Sequence, residues 1–572
     1  MKISSNKMAY PSYIHHRLTI DPLDIQIQRQ LEISRTRLLV ISAIFAIGFL
    51  TIGLRLVNVT LANSTDDLQK ITHTIRNEPT NKYRADILDR NGIVVATSLP
   101  TASLYANPKQ ILNVNESIKK ILEILPELNV KEINSKLTQD RNFVWIKRNL
   151  TPRQHYAINR LGLPGFYFKE EEHRVYPQGS LLAHIVGYTD IDNHGLAGLE
   201  RAFDQKLNEE KNSIRLSLDT RLQYIMRDEL AKTIKNFSAQ GGVGIILDTT
   251  SHEVLSLVSL PDFDPNAPEQ APSENRFNRA SLGVYEMGST LKIFNTAMVL
   301  DKGIVSLNDV FDTSTPIVID KFTIHDDHPQ NRSLSVNEIF AYSSNIGSAK
   351  MALQAGAKTQ YDFFSHLGLL KPLISELPEM GRPIFPKEWR PINMMTMAYG
   401  HGIAITPLHL INGVANIIGD GNDRNLTFIL SEDSKNNQNS LSQIVKADTS
   451  EKIRNLMKSV VDMGTGKKAQ TYGYNIGGKT GTANKQQGHG YDKESRISSF
   501  IGAFPIEQPR YTILIMVDEP KGNEASDNYA TGGWVAAPTF NRVVSRIAPL
   551  LGILPNYTLP NTPNSLRISS VE

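Results

Sequence analysis

The longest apolar run lies near the start of the chain. Residues 38–54 read LLVISAIFAIGFLTIGL, 17 positions without a charge, and beyond Arg55 the apolar stretch 56–62 continues it. At about 1.5 Å per residue the combined segment is long enough for a hydrocarbon core of about 30 Å. Within 38–54 only Ser42 and Thr51 interrupt the apolar run, whereas a buried globular helix carries a polar stripe. Lys2, Lys7, Arg17, Arg29, Arg35 and Arg37 precede the run, and after Arg55 the next basic residues are Lys70 and Arg76. This asymmetry predicts a cytoplasmic segment over 1–37, a single transmembrane anchor over 38–62, and export of everything from about 63 onward. The long polar stretch before the run, with no small-x-small site after it, favours an uncleaved anchor over a signal peptide.

From about 63 to 215 the pattern is mixed. Short alternation at 93–95, a helical run near 118–125 and turn signals at Asn91-Gly92 and Pro177-Gln178-Gly179 predict an irregular, extended domain. The texture changes at Leu216. A helix is predicted after Asp219, and strands over 243–247 and 254–258 flank the turn Asp-Thr-Thr-Ser-His-Glu. Two more β-rich runs, 497–504 and 511–517, are separated by Pro505 and Pro509. Strands at both ends with helical segments between them predict an α/β (α+β) domain over 216–555, its sheet built from both domain termini and covered by helices. Residues 556–572 are polar and predict a loose tail. No repeat of 20 to 50 residues is present.

Composition adds exclusions. With 21% charged and 40% hydrophobic residues over 572 positions, most of the chain is globular. The 61 basic and 58 acidic side chains leave a net charge of +3, which argues against a nucleic-acid binder. There is no cysteine, so disulfides, thiol catalysis, Cys-ligated zinc and iron–sulfur clusters are excluded.

The chemistry is carried by three short strings. In Tyr285-Glu-Met-Gly-Ser-Thr-Leu-Lys292 the serine Ser289 precedes an apolar helical run, and Lys292 follows one turn later on the same face. A lysine held neutral by its surroundings can take the proton of a serine hydroxyl and so activate it. If Ser289 opens the helix, backbone N–H groups and the positive end of the dipole lie close by to stabilise an oxyanion. Alone, Ser-x-x-Lys is better explained by a capping serine and a surface lysine. Ser343-Ser344-Asn345, in a break between helical stretches, and Lys479-Thr480-Gly481, opening an extended small-residue segment with Thr482, change this. In that order, separated by 54 and 136 residues, the three match the serine-acylating set of Ser-x-x-Lys, a serine-containing loop triplet and Lys-Thr-Gly.

With those strings on one chain, the sequence resembles the class B penicillin-binding proteins. The likeness extends to Arg84-Ala-Asp-Ile-Leu-Asp-Arg-Asn-Gly92, to Arg174-Val-Tyr-Pro-Gln-Gly179 with His184, Gly187, Tyr188 and Gly198-Leu-Glu200, and to Leu216-Ser-Leu-Asp-Thr-Arg-Leu-Gln223. It continues through Ser259-Leu-Pro-Asp-Phe-Asp-Pro-Asn266, Tyr399-Gly-His-Gly402, Thr406-Pro-Leu408 and Gly532-Gly-Trp-Val-Ala-Ala-Pro538. Ala85 and Met287 depart from the family's usual Gly and Pro. The resemblance implies a penicillin-binding/serine β-lactamase-like transpeptidase domain with a mixed sheet flanked by helices, on a pedestal of the dimerisation type over 63–215. It implies Ser289 as nucleophile, Lys292 as base, and Ser343 and Asn345 as proton relay and amide holder. Lys479 and Thr480 would hold a terminal carboxylate, with Gly481 and Thr482 completing the substrate strand and the N–H groups of Ser289 and Thr482 forming the oxyanion hole.

The implied substrates are peptidoglycan stem peptides, with β-lactams as covalent inhibitors and no cofactor or metal. The implied location is the bacterial inner membrane, with the catalytic domain periplasmic. The implied partners are a polytopic glycosyltransferase and division-complex proteins. Within the family the chain looks most like the Gram-negative septal enzyme; the elongation paralogue and a non-catalytic division scaffold are the alternatives.

Rival readings exist. Gly473-Tyr-Asn-Ile-Gly-Gly-Lys-Thr480 fits the P-loop pattern, with residues 513–519 resembling a Walker B strand, but no helical periodicity follows Thr480. A secreted β-lactamase would need a water-activating Glu-x-x-Leu-Asn element, absent between Asn345 and Lys479. His325-Asp-Asp-His328 is too loosely spaced to predict a metal site. Trp145, Trp389 and Trp534 read as core or groove aromatics rather than a platform for sugars.

Overall fold

The structure is a computed structural model that describes residue 35 and residues 39–55, 83–210, 212–319, 322–430, 442–487 and 490–557. It divides into two compact units, Met1–Thr80 and Asn81–Glu572. In the first, residues 39–55 are helical and their large apolar side chains are exposed. Thr51 donates its hydroxyl back to the carbonyls of Ile47 and Gly48, at 2.9 and 2.8 Å, so the one polar group in this turn is satisfied within the helix. Among the described residues no helix is long and apolar enough to cross a membrane. The remainder of the expected 38–62 span, and all of 1–37 except residue 35, lie outside the described residues.

The second unit begins with a five-stranded sheet rather than the irregular region predicted. Strands β1 (Ile87–Leu88), β2 (Val94–Ala106), β3 (Val144–Leu150), β4 (Phe166–Val175) and β5 (Ile214–Arg215) form it. β2 pairs antiparallel with β1, β3 and β4, while β5 runs parallel to β1. Pro100 and several small polar residues in β2 hide its periodicity. Pro100 sits opposite Glu172 of β4, in a part of β2 that neither β1 nor β3 pairs with, so its missing N–H costs no ladder bond. The inner face packs Leu104, Ala106, Val144 and Ile146 against Ile118 and Ile121 of the helix Val114–Ile124 and Ile133 of the helix Val130–Leu137. Asn113 and Asn129 cap these helices through their side-chain oxygens.

The motif residues here form a buried ion-pair network. Glu200 bridges Arg84 and Arg174, each at 2.7 Å, and Arg84 also meets Asp204 at 2.6 Å. Ala85 is buried, and its N–H donates to Leu207 O. Asp89 accepts from Thr220 Oγ1 at 2.9 Å, tying the turn after β1 to the helix Thr220–Asn236.

The remaining strands are β6 (Gly241–Asp248), β7 (Val254–Leu260), the short β8 (Tyr285–Glu286), β9 (Val310–Asp312), β10 (Ile317–Ile319), β11 (Phe322–Ile324), β12 (Ser333–Ser335) and β13 (Ala404–Ile405), then β14 (Gly477–Gln487), β15 (Gly490–Phe504) and β16 (Tyr511–Asp518). The expected sheet from both ends of the domain is present, with order β14-β15-β16-β6-β7, antiparallel throughout. Alternate residues face two cores. Ile246, Ile513 and Ile515 join Met226 of the helix Thr220–Asn236 and Phe540 of the helix Ala536–Ile547. Ile245, Leu247, Leu514 and Met516 join Phe294 and Leu408 on the other side. Burial on both faces is why these strands read as continuous apolar runs. At the expected loose tail, Asn556 N–H donates to Gly473 O at 2.7 Å, and residues beyond 557 lie outside the described set.

Candidate active site

Ser289 does not open an α-helix as predicted. It lies in a 3-10 turn, Gly288–Leu291, and the α-helix Lys292–Asp301 begins at the lysine itself. Tight packing explains the turn. Gly288, at φ +55°, would carry a Cβ 2.5 Å from Thr482 O, and Gly400, at φ +87°, one 2.0 Å from Gly288 O. Three backbone segments are pressed together where only glycine fits. Met287 adopts φ −88°, ψ 1°, close to a proline's φ, so the departure at this position keeps the loop geometry.

Lys292 is fully buried and surrounded by acceptors. Its Nζ lies 2.9 Å from Ser289 Oγ, 2.6 Å from Ser343 O, 3.0 Å from Ser343 Oγ and 2.7 Å from Asn345 Oδ1. Burial pulls its pKa down to about 7, against the opposing pull of Asp327 and Asp326. The predicted break between helices is real, between Val336–Ala341 and Asn345–Ala355. Ser343 occupies the left-handed region at φ +63°, which brings both its carbonyl and its hydroxyl onto Lys292.

Lys479, also fully buried, reaches the same hydroxyl at 2.8 Å. Its pKa is driven well below the ordinary lysine value by burial, then by the charge of Lys292. Lys479, Thr480, Gly481 and Thr482 belong to β14, an edge strand of the sheet, against the serine turn. Thr480 Oγ1 is 2.6 Å from Thr465 Oγ1, and Thr482 Oγ1 accepts from Gly532 N–H at 3.1 Å. A Cβ on Gly481 would stand 2.7 Å from Met287 O. Because Lys479-Thr480 continues as strand and hands over to no helix, the P-loop reading fails.

Contacts therefore join Ser289, Lys292, Ser343, Asn345 and Lys479 directly, and Thr480 to Thr482 border them. The sequence reading weighed His325-Asp-Asp-His328 only as a metal site and did not find that it, or Glu286, holds this set. Asp326 accepts from Ser344 Oγ at 2.7 Å and from Ile346 N–H at 2.9 Å, and Asn345 Nδ2 donates to His325 O at 3.0 Å. The string His325-Asp-Asp-His328 is thus a brace for the serine triplet, and among the described residues no three-ligand metal group exists. Glu286 accepts from Gly402 N–H at 2.9 Å and Tyr491 O–H at 3.2 Å, joining Tyr399-Gly-His-Gly402 to the strand before the serine. The signals were the acidic residues next to quoted motifs, whose partners are far away in the chain.

The tryptophans differ from one another. Trp389 packs edge-on against Tyr361 and Phe364. Trp534 stacks on Tyr529 beneath Lys468. Trp145 lies on the outer face of β3, away from the apolar core.

The sequence profile of the "Penicillin binding protein transpeptidase domain" matches residues 242–545, and that of the "Penicillin-binding Protein dimerisation domain" matches residues 79–236. The chain is 36% identical to the "Probable peptidoglycan D,D-transpeptidase FtsI" of Caulobacter vibrioides, over 86% of this chain and 85% of the relative. It is 27% identical to the "Peptidoglycan D,D-transpeptidase FtsI" of Escherichia coli K12, over 87% and 89% respectively. In fold it is similar to a peptidoglycan synthetase structure from Bifidobacterium adolescentis, with a TM-score of 0.65 at 19% identity over 84% of this chain and 97% of the other. The two matched regions, 79–236 and 242–545, and the serine site between the sheet and its helices identify the chain as a member of the class B penicillin-binding proteins.

Proposed function

We propose that the protein is a serine-type peptidoglycan D,D-transpeptidase that crosslinks stem peptides during septal wall synthesis. The observation that carries the mechanism is the contact of Ser289 Oγ with a buried Lys292 whose pKa lies near 7. Neutral Lys292 takes the hydroxyl proton as Ser289 attacks the carbonyl of the D-Ala-D-Ala bond. The developing oxyanion is met by the N–H groups of Ser289 and Thr482, each contributing about 3 kcal/mol by analogy with other acyl-transfer sites. The proton passes through Ser343 to the departing D-Ala amine, and a Ser289 ester remains. Asn345 holds the substrate amide, while Lys479 and Thr480 bind the terminal carboxylate beside Gly481 on the edge strand. An amine from a neighbouring peptide then attacks the ester, returns one proton to Ser289 through Lys292, and forms the crosslink.

The apolar, exposed helix over 39–55 supports an inner-membrane anchor, with residues 1–37 cytoplasmic and the enzyme periplasmic. The likeness to two relatives named FtsI supports division over elongation; a polytopic glycosyltransferase and division proteins are the partners that the family resemblance implies. The test is mass spectrometry of the protein after benzylpenicillin treatment. One stable adduct on Ser289, lost in Ser289→Ala, is expected; an adduct elsewhere, or rapid hydrolytic turnover, would overturn the assignment.

A further inference from the structure

The outer face of the pedestal sheet carries a feature that neither catalysis nor the core uses. Tyr105 in β2 lies directly opposite Trp145 in β3 and Tyr167 in β4, so three aromatic side chains form one row across three strands. Phe143, two residues before Trp145, joins them. Tyr105 stacks on Phe143 at 4.7 Å and on Tyr167 at 5.6 Å, both at 29°, and Trp145 meets Phe143 edge-on at 4.8 Å. Their neighbours in sequence, Leu104, Ala106, Val144 and Ile146, point the other way and fill the core. Phe143 and Tyr167 each remain 43% exposed.

Charged groups stand within the row. Arg148 lies 5.2 Å and Lys169 5.6 Å from the Trp145 ring centre. Arg148 is itself held by Glu171 at 2.9 Å and Asp192 at 2.8 Å, and Ser103 donates to Glu171. Cross-strand aromatic pairs add about 0.2–1 kcal/mol each to a sheet, which explains pairing but not why they face water. A protein-docking patch is depleted of charge at its centre. Here cations stand over Trp145, the ring at the β3 end of the row, and carboxylates and hydroxyls continue along the same strands. That combination suits a polyhydroxylated ligand, whose C–H faces lie on rings and whose hydroxyl and amide groups reach charged side chains. At a strand spacing of about 4.8 Å the row is roughly 10 Å long, the size of two linked pyranoses.

We propose that this face binds the glycan strand of peptidoglycan, a polymer of N-acetylated amino sugars, and so holds the polymer whose peptides the catalytic site joins. The inference rests on the transpeptidase reading for its choice of polysaccharide. Cationic Arg148 and Lys169 also match the carboxylates that such a strand carries.

The test uses the full-length protein in detergent micelles and glycan strands stripped of their stem peptides. The unmodified protein is expected to bind the strands. Trp145→Ala and Tyr167→Ala should each weaken binding by about tenfold or more, while Trp145→Phe stays within about threefold. Benzylpenicillin acylation of Ser289, measured on the same samples, should be equal in all four proteins, which reports that the alanine variants are folded. No binding of stripped strands by the unmodified protein, or binding by Tyr167→Ala and Trp145→Ala as tight as the unmodified protein's, overturns the proposal. Binding without acylation in the unmodified protein would instead sink the transpeptidase reading.

Discussion

The amines of Lys292 and Lys479 meet at one hydroxyl, 3.0 and 2.8 Å from Ser343 Oγ. Two buried amines so close share fewer than two protons near neutral pH, and their titrations are coupled. Burial lowers both, and the charge of Lys292 lowers Lys479 further. The arrival of a substrate carboxylate favours the charged form of Lys479, leaving Lys292 free to act as base. Acylation by benzylpenicillin is therefore expected to rise with pH up to about 7 and then level off. Between pH 7 and pH 5 the rate constant should fall by roughly 50- to 100-fold, as protonation removes the base. Stopped-flow acylation with a fluorescent penicillin measures this, and a flat profile over that range would exclude Lys292 as the base. The linked effect on stability has a definite sign. Between about pH 7 and about pH 10 the unfolded chain binds the Lys292 proton and the folded one does not, so this residue makes the fold more stable as pH rises through that window.

Removing the base itself is a sharper perturbation. Lys292→Ala should slow acylation by about 10²- to 10⁴-fold, the range for a lost general base. Intact-mass time courses read the adduct directly, and a rate within a factor of about three of the unmodified protein would contradict the role given to Lys292.

Asp326 holds the serine triplet by two hydrogen bonds, to Ser344 Oγ and Ile346 N–H. Asp326→Ala leaves a buried N–H unpaired, at a cost of about 1–3 kcal/mol. It also frees the Ser343 turn from its left-handed conformation. A lowered thermal midpoint together with slower acylation is expected. Loss of stability with unaltered acylation would mean that the brace serves the fold alone.

Gly400 faces Gly288 O, where a Cβ would stand at 2.0 Å with φ at +87°. Backbone must move to admit a methyl group, so Gly400→Ala should destabilise by more than about 1 kcal/mol and shift the serine turn. Calorimetry and penicillin acylation should fall together. Gly303→Ala is the control, because its φ is also positive but nothing lies within 4 Å.

In the pedestal, Glu200→Ala would leave the buried guanidinium of Arg174 without a carboxylate and that of Arg84 with Asp204 alone. The expected loss is about 3–5 kcal/mol in denaturant unfolding of the pedestal transition. Acylation measured at low temperature on the folded fraction should be preserved, since none of these residues touches the serine site.

The catalytic sheet and its site were legible because their signals are local and periodic. Strands such as β6 and β16 are continuous apolar runs, and each reacting group sits in a string with fixed spacing. The pedestal sheet was not legible, since Pro100 and small polar residues blur β2 and its register depends on partners some 40 to 80 residues away. The bracing roles of Asp326 and Glu286 were equally hidden, because a lone acidic side chain has no pattern until its distant N–H partner is known. The start of the serine helix was misjudged by three residues, where packing against Gly400 and Thr482 forces a tighter turn.

The strand next to the centre of the catalytic sheet has an implication for synthesis. Thr249, just past the end of β6, and Thr512 of β16 join hydroxyls at 2.9 Å although they stand 263 positions apart in the chain. The ribosome has to deliver nearly the entire polypeptide before that seam can close. A nascent chain that ends between Ser289 and β16 carries the serine without the completed sheet that holds Lys479 beside the Ser343 hydroxyl.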